Sequence, residues 1–158
     1  TIVLTGDANE MTEEYVLAKG YLDNIDTDIL KVGHHGSKSS TTQAFLDKID
    51  AEFAIISTSG TREKPQEKYT HPHPDLLARL DNYTDAVPDA DFNGFRQVYI
   101  TGSDGDITVT IGENGGINIT ASEAADKNYG EVQVAAVITD GETLYAICIK
   151  RGAYVVQE

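Results

Sequence analysis

All four histidines lie in two short clusters, His34-His35 and His71-Pro72-His73. Each cluster is predicted where a strand or a helix meets a loop, and Asp7 likewise follows an apolar run. In parallel α/β sheets, ligand and catalytic groups gather at the carboxyl ends of the strands. We therefore expect Asp7 and the first cluster at one edge of a sheet. A carboxylate with imidazoles is a ligand set suited to zinc, manganese or iron.

Hydroxyl side chains follow the first cluster, at Ser37 and over the run 39–41. Together with the amides of a helix N-terminus, they are suited to hold an anionic group of a substrate. In the second cluster, Pro72 and Pro74 keep the chain extended, so the two histidines are expected to point the same way.

Each of these features also has an ordinary structural interpretation. A Gly-Asp pair after a strand is usually a turn or a helix cap, and a His-His pair can be a hydrogen-bonded structural pair. The segment 71–74 can be a rigid linker that caps a helix. The single Cys148 is expected to be a core residue, and Asp104 and Asp106 flank Gly105 in a hairpin turn without the spacing of a calcium loop.

The elements that position these residues alternate in type over the first two-thirds of the chain. Apolar runs predict strands at 1–5, 28–32 and 53–57. Helices are predicted from an N-cap at Thr12 to Lys19, after an N-cap at Ser40 or Thr41, and after Pro74. This order predicts a layered α/β domain.

From residue 97 onward, the pattern changes to strands and turns. Strands are predicted at 97–101, 106–111, 117–120, 131–139, 143–150 and 153–156, with Gly-rich turns at 102–105 and 112–116 and a hairpin at Asp140-Gly141. We divide the chain into a main domain, 1–120, and a β-meander extension, 121–158. The extension is expected either to pack on the main sheet or to form a small appended unit.

Composition narrows the classes of function. Of the 158 residues, 40% are hydrophobic, which excludes disorder, and no apolar run approaches the roughly 20 residues that span a bilayer. The net charge of −14 argues against a general polyanion binder, so a nucleic-acid role needs a basic patch or metal cations. Six of the 12 basic residues lie between 31 and 68: Lys31, Lys38, Lys48, Arg62, Lys64 and Lys68. Because the chain begins within a strand-like run, we expect a fragment of a longer protein.

Four runs in order resemble a known family: IVLTGDA at 2–8, ILKVGHHGSKSS at 29–40, AIIS at 54–57 and YTHPHPDLLARL at 69–80. They are similar to the C-terminal half of the metallo-β-lactamase-type hydrolase domain of ComEC-type competence (DNA-uptake) proteins and their secreted relatives. The resemblance covers about residues 1–111, and residues 121–158 match nothing. It implies a four-layer αββα sandwich, of which this chain is the C-terminal half, with one or two zinc or manganese ions at its edge.

The resemblance also implies roles for individual residues. Asp7 resembles the carboxylate that bridges two metals, and His34-His35 resembles a motif in which one ring binds metal. His71 matches a histidine that faces the metal-bound water or a substrate phosphate, with Thr70 in place of a glycine. Substrate contacts are implied for Ser37, Lys38 and His73, of which Lys38 would help to hold a phosphate.

One departure from the family is serious, because the principal metal motif, HxHxDH, lies upstream of Asp7 in the family and is absent here. We therefore expect a partial site and an inactive fragment. An exposed sheet edge would pair with the missing N-terminal half or with a second copy. The resemblance implies an extracytoplasmic parent that is a metal-dependent hydrolase of phosphodiester bonds such as those of DNA. The alternatives are a non-catalytic, degenerate or interaction module and a hydrolase of phosphocholine esters or lactones.

Overall fold

The computed structural model describes residues 1–83, 97–112, 115–122, 132–136 and 145–151. The first part alternates strands and helices: β1 (Ile2–Leu4), α1 (Glu10–Ala18), β2 (Ile29–Lys31), a 3₁₀ turn (Gly33–Gly36), α2 (Gln43–Ile49), β3 (Phe53–Ile56) and α3 (Pro74–Asn82). The second part is mostly strands: β4 (Gln97–Ile100), the single helical turn α4 (Thr101–Asp104), β5 (Ile107–Ile111), β6 (Ile117–Ala121), β7 (Val132–Ala136) and β8 (Tyr145–Arg151). The predicted α/β class is confirmed.

The first sheet is parallel, with the strand order β1-β2-β3-β4. Leu4 pairs with Lys31, and Lys31 pairs with Ile55, so these strands end at the same level. The segments that follow them leave the sheet at one edge, as expected for parallel strands. This carboxyl edge receives both Asp7 and the first histidine cluster.

The helices cover one face of this sheet. Leu30, Val32, Ala54, Ile56 and Ile100 from the strands pack against side chains of α2 and α3, and the cluster also contains Phe45, Leu46, Ile49, Ala51, Leu76, Leu77 and Leu80. Their spacing in each helix is the one expected for a single buried face.

The second sheet is antiparallel, with the order β6-β5-β8-β7, and it covers the other face. Ile107 and Val109 of β5 pack against Ile29, Ile55 and Tyr99 of the parallel sheet. Helices, parallel sheet and antiparallel sheet therefore form three successive layers. β8 pairs with β5 in antiparallel register. The second sheet therefore contains strands from the predicted main domain, 1–120, and from the predicted extension, 121–158.

Helix α1 starts earlier than the sequence predicted. Its N-cap is Asn9, whose side chain accepts a hydrogen bond from the backbone N–H of Thr12 at 3.3 Å. Thr12 is therefore inside the first turn, and the prediction that it caps the helix is wrong. Asparagine caps helices as well as threonine does, and here its position lets Glu10 and Glu13 both fall in the first turn.

Helix α2 is capped by Thr42, which accepts from the N–H of Phe45 at 3.3 Å. The predicted caps, Ser40 and Thr41, are wrong because their hydroxyls bind the backbone of Gly33 instead, at 2.8 and 3.1 Å. These two bonds tie the start of α2 to the end of β2.

The predicted turn at 102–105 is instead α4, and the Asp104 carboxylate accepts from the N–H of Ile100 at 2.6 Å. The turn between β5 and β6 is confirmed, with a 2.8 Å hydrogen bond from Gly112 to Gly116. The predicted Asp140-Gly141 hairpin and the strand at 153–156 lie outside the described residues. Within the described ranges, no helix is long and apolar enough to cross a membrane.

Candidate metal centre

Both residues of the first histidine cluster have left-handed backbone conformations, with φ of 45° at His34 and 54° at His35. For a residue with a side chain, this conformation costs about 1–2 kcal/mol. Such strain persists only where the surrounding structure imposes it, and it is concentrated at functional sites. The 3₁₀ turn that follows β2 is therefore a candidate for function on its backbone alone.

Several hydrogen bonds hold this strained turn. The N–H of His34 donates to the carbonyl of Gly6 at 2.9 Å, and the N–H of Ser37 donates to the carbonyl of His34 at 2.9 Å. Gly33 packs closely against the loop after β1, since a Cβ there would lie 3.0 Å from the carbonyl oxygen of Ala8. The loop after β1 and the loop after β2 are therefore in direct contact and hydrogen-bonded to each other.

A buried carboxylate supports the same region from α1. Glu13 is 1% exposed and accepts hydrogen bonds from the backbone N–H groups of Thr41 and Thr42, at 2.5 and 2.8 Å. Thr41 in turn accepts from the N–H of Gly33. The carboxylate of Glu13 therefore fixes the segment that holds the histidine turn, a role that the sequence did not reveal.

Asp7 and His35 face each other at the carboxyl edge of the sheet. The distance from His35 Nε2 to Asp7 Oδ1 is 3.6 Å, and both side chains are largely accessible to solvent, at 48% and 69%. The other ring nitrogen, Nδ1, lies 2.7 Å from the carbonyl oxygen of Ser57. Because a carbonyl only accepts, Nδ1 carries the hydrogen, and Nε2 is the ring nitrogen on the side of Asp7.

This arrangement fits a metal ligand pair. Histidines that bind metals commonly donate the second ring N–H to a carbonyl or a carboxylate, which fixes the tautomer and the ring orientation. Two ligand atoms on a tetrahedral zinc lie about 3.4 Å apart, close to the separation between His35 and Asp7. Among the described residues, however, no group of three His, Cys, Asp or Glu side chains could hold an ion. The candidate ligands within the described residues are therefore Asp7 and His35.

The second histidine cluster meets the first at this edge. The rings of His34 and His71 are in an edge-to-face contact, with centroids 5.5 Å apart. Burial lowers the pKa of His71, and the neighbouring His34, His35 and His73 lower it further, while Asp7 opposes the shift. Four histidines and one carboxylate are thus brought together. Nδ1 of His34 is buried and has no hydrogen-bond partner among the described residues.

The residues expected to contact substrate occupy different environments. His73 is the N-cap of α3, where Nδ1 accepts from the N–H of Asp75 at 3.1 Å. Ser37 is mostly buried, with its hydroxyl 3.2 Å from that of Ser39. Lys38 is exposed on the loop before α2. Of these three side chains, Ser37 and His73 have internal hydrogen bonds and Lys38 faces solvent.

Sequence reasoning did not give Lys31 a role in the site. It lies in a buried strand, is 8% exposed and donates from Nζ to the carbonyl of Val32 at 2.8 Å. Burial lowers the pKa of this lysine, and the nearby Asp7 carboxylate opposes the shift. A lysine within a predicted apolar strand is the sequence feature that could have indicated a role for this residue in the site. Its amine lies within electrostatic range of the Asp7 carboxylate.

The fold and the site together define an α/β protein with a cluster of imidazoles and one carboxylate at the carboxyl edge of a parallel sheet. The chain is 38% identical over 92 residues to ComE operon protein 3 of Bacillus subtilis (strain 168). It is also 38% identical over 94 residues to Recombination protein 2 of Haemophilus influenzae and 35% identical over 57 residues to Competence protein ComA of Neisseria gonorrhoeae.

These similarities cover 58%, 60% and 36% of the chain but only 11%, 11% and 8% of the respective relatives. The chain thus spans about a tenth of the length of the curated proteins that it matches. No protein-family profile matches it. No solved structure matches it either.

Proposed function

We propose that this chain is the C-terminal part of a metallo-β-lactamase-type domain in a protein of competence and DNA uptake, and that the complete domain hydrolyses phosphodiester bonds with zinc or manganese. One observation carries the metal proposal. The ring of His35 is fixed through Nδ1 by the carbonyl of Ser57, so Nε2 is directed to the carboxylate of Asp7. This is a preorganised ligand pair.

Asp7 and His35 would hold the ion, and His34 is the alternative imidazole ligand. A bound ion lowers the pKa of a water and stabilises charge on phosphate oxygens. His71 is the candidate for proton transfer, because a lowered pKa leaves its ring neutral and able to accept a proton near pH 7. Lys38 would contribute a positive charge to a bound phosphate, and Ser37 and His73 border the same loops.

Two further findings support the proposal. The relatives have names that refer to the ComE operon, to recombination and to competence. The three layers of helices, parallel sheet and antiparallel sheet are compatible with part of an αββα sandwich. In this proposal the remaining metal ligands come from an HxHxDH motif upstream of Asp7, and the domain acts outside the cytoplasmic membrane. The outer edge of β1 would pair with that upstream half or with a second copy of the chain.

A non-catalytic module is the second candidate. It is favoured by the lack of a third metal ligand near Asp7 and His35 within the described residues. A site with two ligands binds metal weakly and positions a water poorly. A hydrolase of phosphocholine esters or lactones uses the same ligands and differs in its substrate.

The test is the metal stoichiometry of the chain after loading with zinc or with manganese. We expect the wild type to retain metal and the Asp7→Ala/His35→Ala double variant to lose it. Asp26→Ala is the matched control, because it removes an exposed carboxylate from a loop away from the site. Equal metal content in the wild type and the double variant would contradict the proposed ligand pair. Metal that is lost equally in Asp26→Ala would show non-specific binding to an acidic surface.

A further inference from the structure

An exposed aromatic ring adjoins the histidine cluster. Tyr69 is 55% exposed, and its ring lies over that of His71, with centroids 6.0 Å apart and planes inclined by 27°. The ammonium of Lys68 lies 4.7 Å from the centroid of the same ring. The three side chains form an accessible stack that we call the Tyr69 platform. An exposed ring of this kind adds little to the core, because most of its surface remains in water.

The loop that carries the Tyr69 platform is ordered by its own backbone. The N–H of Gln66 donates to the carbonyl of His71, and the N–H of Thr70 donates to the carbonyl of Gln66, both at 2.7 Å. Gly60 packs so closely that a Cβ there would lie 2.1 Å from the carbonyl oxygen of His71. The aromatic ring is therefore presented on a preformed loop, which reduces the entropy lost on binding a ligand.

A side-chain pair fixes the same loop to α3. The guanidinium of Arg62 donates to both oxygens of Asp81, at 2.7 and 3.0 Å. Both bonds come from one nitrogen, Nη1, so the contact is a charge-assisted ion pair. The loop is thus attached to α3 through Arg62.

The charge around the Tyr69 platform differs from that of the whole chain. Between positions 59 and 73 there are three basic side chains and two acidic ones, whereas the chain as a whole has 12 basic and 26 acidic residues. This local balance permits contact with a phosphate. It does not permit tight binding to a duplex backbone, which requires many neutralised phosphates. Stacking on a base is the interaction that remains, and it needs an unpaired base.

We propose that the Tyr69 platform binds single-stranded nucleic acid by stacking an unpaired nucleobase on Tyr69, with the ammonium of Lys68 beside the adjoining phosphate. The inference rests on the proposed function, since it names the substrate of that site as a single strand. The stack extends through Tyr69 to His71, so a bound strand lies next to the candidate proton-transfer group. Aromatic rings accept any base in this way, and the predicted preference is for single strands over duplexes, with little sequence preference.

The first experiment measures binding by fluorescence anisotropy, with a short labelled oligothymidylate as the single strand and a duplex of equal length. We expect Tyr69→Ala to weaken binding of the single strand about 5- to 150-fold, the range for loss of one stacked base. Tyr69→Phe keeps the ring and should bind within about 2-fold of the wild type, since the hydroxyl is not part of the stack.

The matched control is Tyr15→Ala. Tyr15 is 56% exposed, its ring contacts that of Tyr21 at 6.3 Å, and the ammonium of Lys19 lies 5.5 Å from its centroid. It carries an exposed ring and a nearby ammonium on α1, a helix with an acidic first turn that lies away from the histidine cluster. We expect this variant to bind the oligonucleotide as the wild type does.

A second readout uses the absence of tryptophan from the sequence. Tyr69→Trp introduces one indole, whose emission should be quenched when the oligonucleotide stacks on it, whereas Tyr15→Trp should not respond. The proposal is overturned if the wild type does not bind the single strand, if Tyr69→Ala binds as well as the wild type, or if the duplex binds equally well. It is also overturned if phosphocholine alone displaces the oligonucleotide, because the ring would then be a site for a quaternary ammonium.

The metal measurement separates this inference from the proposed function. Tyr69 is not a ligand, so Tyr69→Ala should retain the metal content of the wild type, which also shows that the site is folded. Loss of base stacking with normal metal binding would overturn only the Tyr69 platform. Normal stacking in a chain whose metal content does not depend on Asp7 and His35 would overturn only the metal site.

Discussion

Gly36 is the contact point between the two histidine clusters, and Gly36→Ala is expected to destabilise the protein strongly. Its φ is +85°, and an added Cβ would lie 3.0 Å from Pro72 Cβ and 3.1 Å from both Ile56 Cγ2 and Leu76 Cδ2. Carbon atoms in ordinary contact lie about 3.5–4.0 Å apart. The left-handed conformation costs an alanine about 1–2 kcal/mol, and overpacking costs about 1–3 kcal/mol. The sum is about 2–5 kcal/mol.

The reduced freedom of the unfolded chain offsets part of this loss, by about 0.4–1 kcal/mol for a Gly→Ala change. The net loss in the free energy of unfolding is therefore about 1–4.5 kcal/mol. Gly115→Ala is the matched control, because its φ is +79° and no described atom lies within 4 Å of the added Cβ. It shares the backbone strain and the change in the unfolded state, so the difference between the two variants isolates the packing cost.

Urea unfolding followed by far-UV circular dichroism measures both variants, and an unchanged dependence on urea would show that the same surface is exposed on unfolding. We expect Gly36→Ala to be the less stable variant by about 1–3 kcal/mol. Equal stability of the two alanine variants would refute the claim that the clusters meet in close contact at Gly36. Because the three neighbours belong to different segments, they have little room to move away from the added Cβ, and we expect a measurable packing cost.

Three further predictions concern single groups. Glu13→Gln should lower the free energy of unfolding by about 1–3 kcal/mol, because the amide retains one acceptor and leaves one buried backbone N–H unpaired. The control, the exposed Glu14→Gln, should change the free energy of unfolding by less than about 0.5 kcal/mol in the same urea experiment. Burial, and then the neighbouring Asp50 carboxylate, raise the pKa of Tyr83. The unfolded state therefore ionises first, and stability is lost as the pH rises above about 10. Tyr83→Phe should reduce this loss, which is measured as the change of the urea midpoint with pH. The pKa of His71 is lowered, so the titration of its ring, followed by NMR, should have its midpoint below about pH 6.5. The contribution of His71 to stability is complete above that pH. It should be lost as the pH falls, because the unfolded state takes up the proton first.

Each of these predictions has an outcome that contradicts it. If Glu13→Gln and Glu14→Gln are equally stable, the buried carboxylate does not hold the loop before α2. If the alkaline loss of stability is the same in Tyr83→Phe and the wild type, the tyrosine hydroxyl is not the titrating group. A His71 midpoint above the ordinary value for histidine would mean that the Asp7 carboxylate outweighs burial and the neighbouring imidazoles.

The strand ends could be predicted from the sequence because parallel strands have a simple signature. Apolar runs at 28–32 and 53–57 mark β2 and β3, and the polar residues that follow them reach one edge of the sheet. The strand pattern alone therefore predicts Asp7 and His35 at the same edge of the sheet. Helix α3 could be predicted as well, because proline is typical of the first turn of a helix, where Pro74 lies.

The finer features of the site depend on contacts that reach beyond a single helix turn or strand, and local patterns do not contain them. Ser40 and Thr41 are good capping residues by type, yet they bind Gly33, eight or fewer positions away, and leave the cap to Thr42. The hydrogen bond from His35 to Ser57 joins two loops from different strands. The left-handed conformation of two adjacent histidines has no sequence signal, because only tertiary contacts make it tolerable.

The order of the parallel sheet also determines when the site can form during folding. Asp7, His35 and Ser57 follow three successive strands, and His71 lies beyond the third, so the cluster joins segments separated by up to 64 positions, 7 to 71. Contacts of such long sequence separation form late, after local helices, because their loop-closure entropy must be overcome first. A helix signal should therefore precede any signal from the His35–Asp7 pair during refolding. If Asp7 and His35 hold an ion as proposed, its uptake would report completion of the sheet, and partly folded chains would lack the preformed pair.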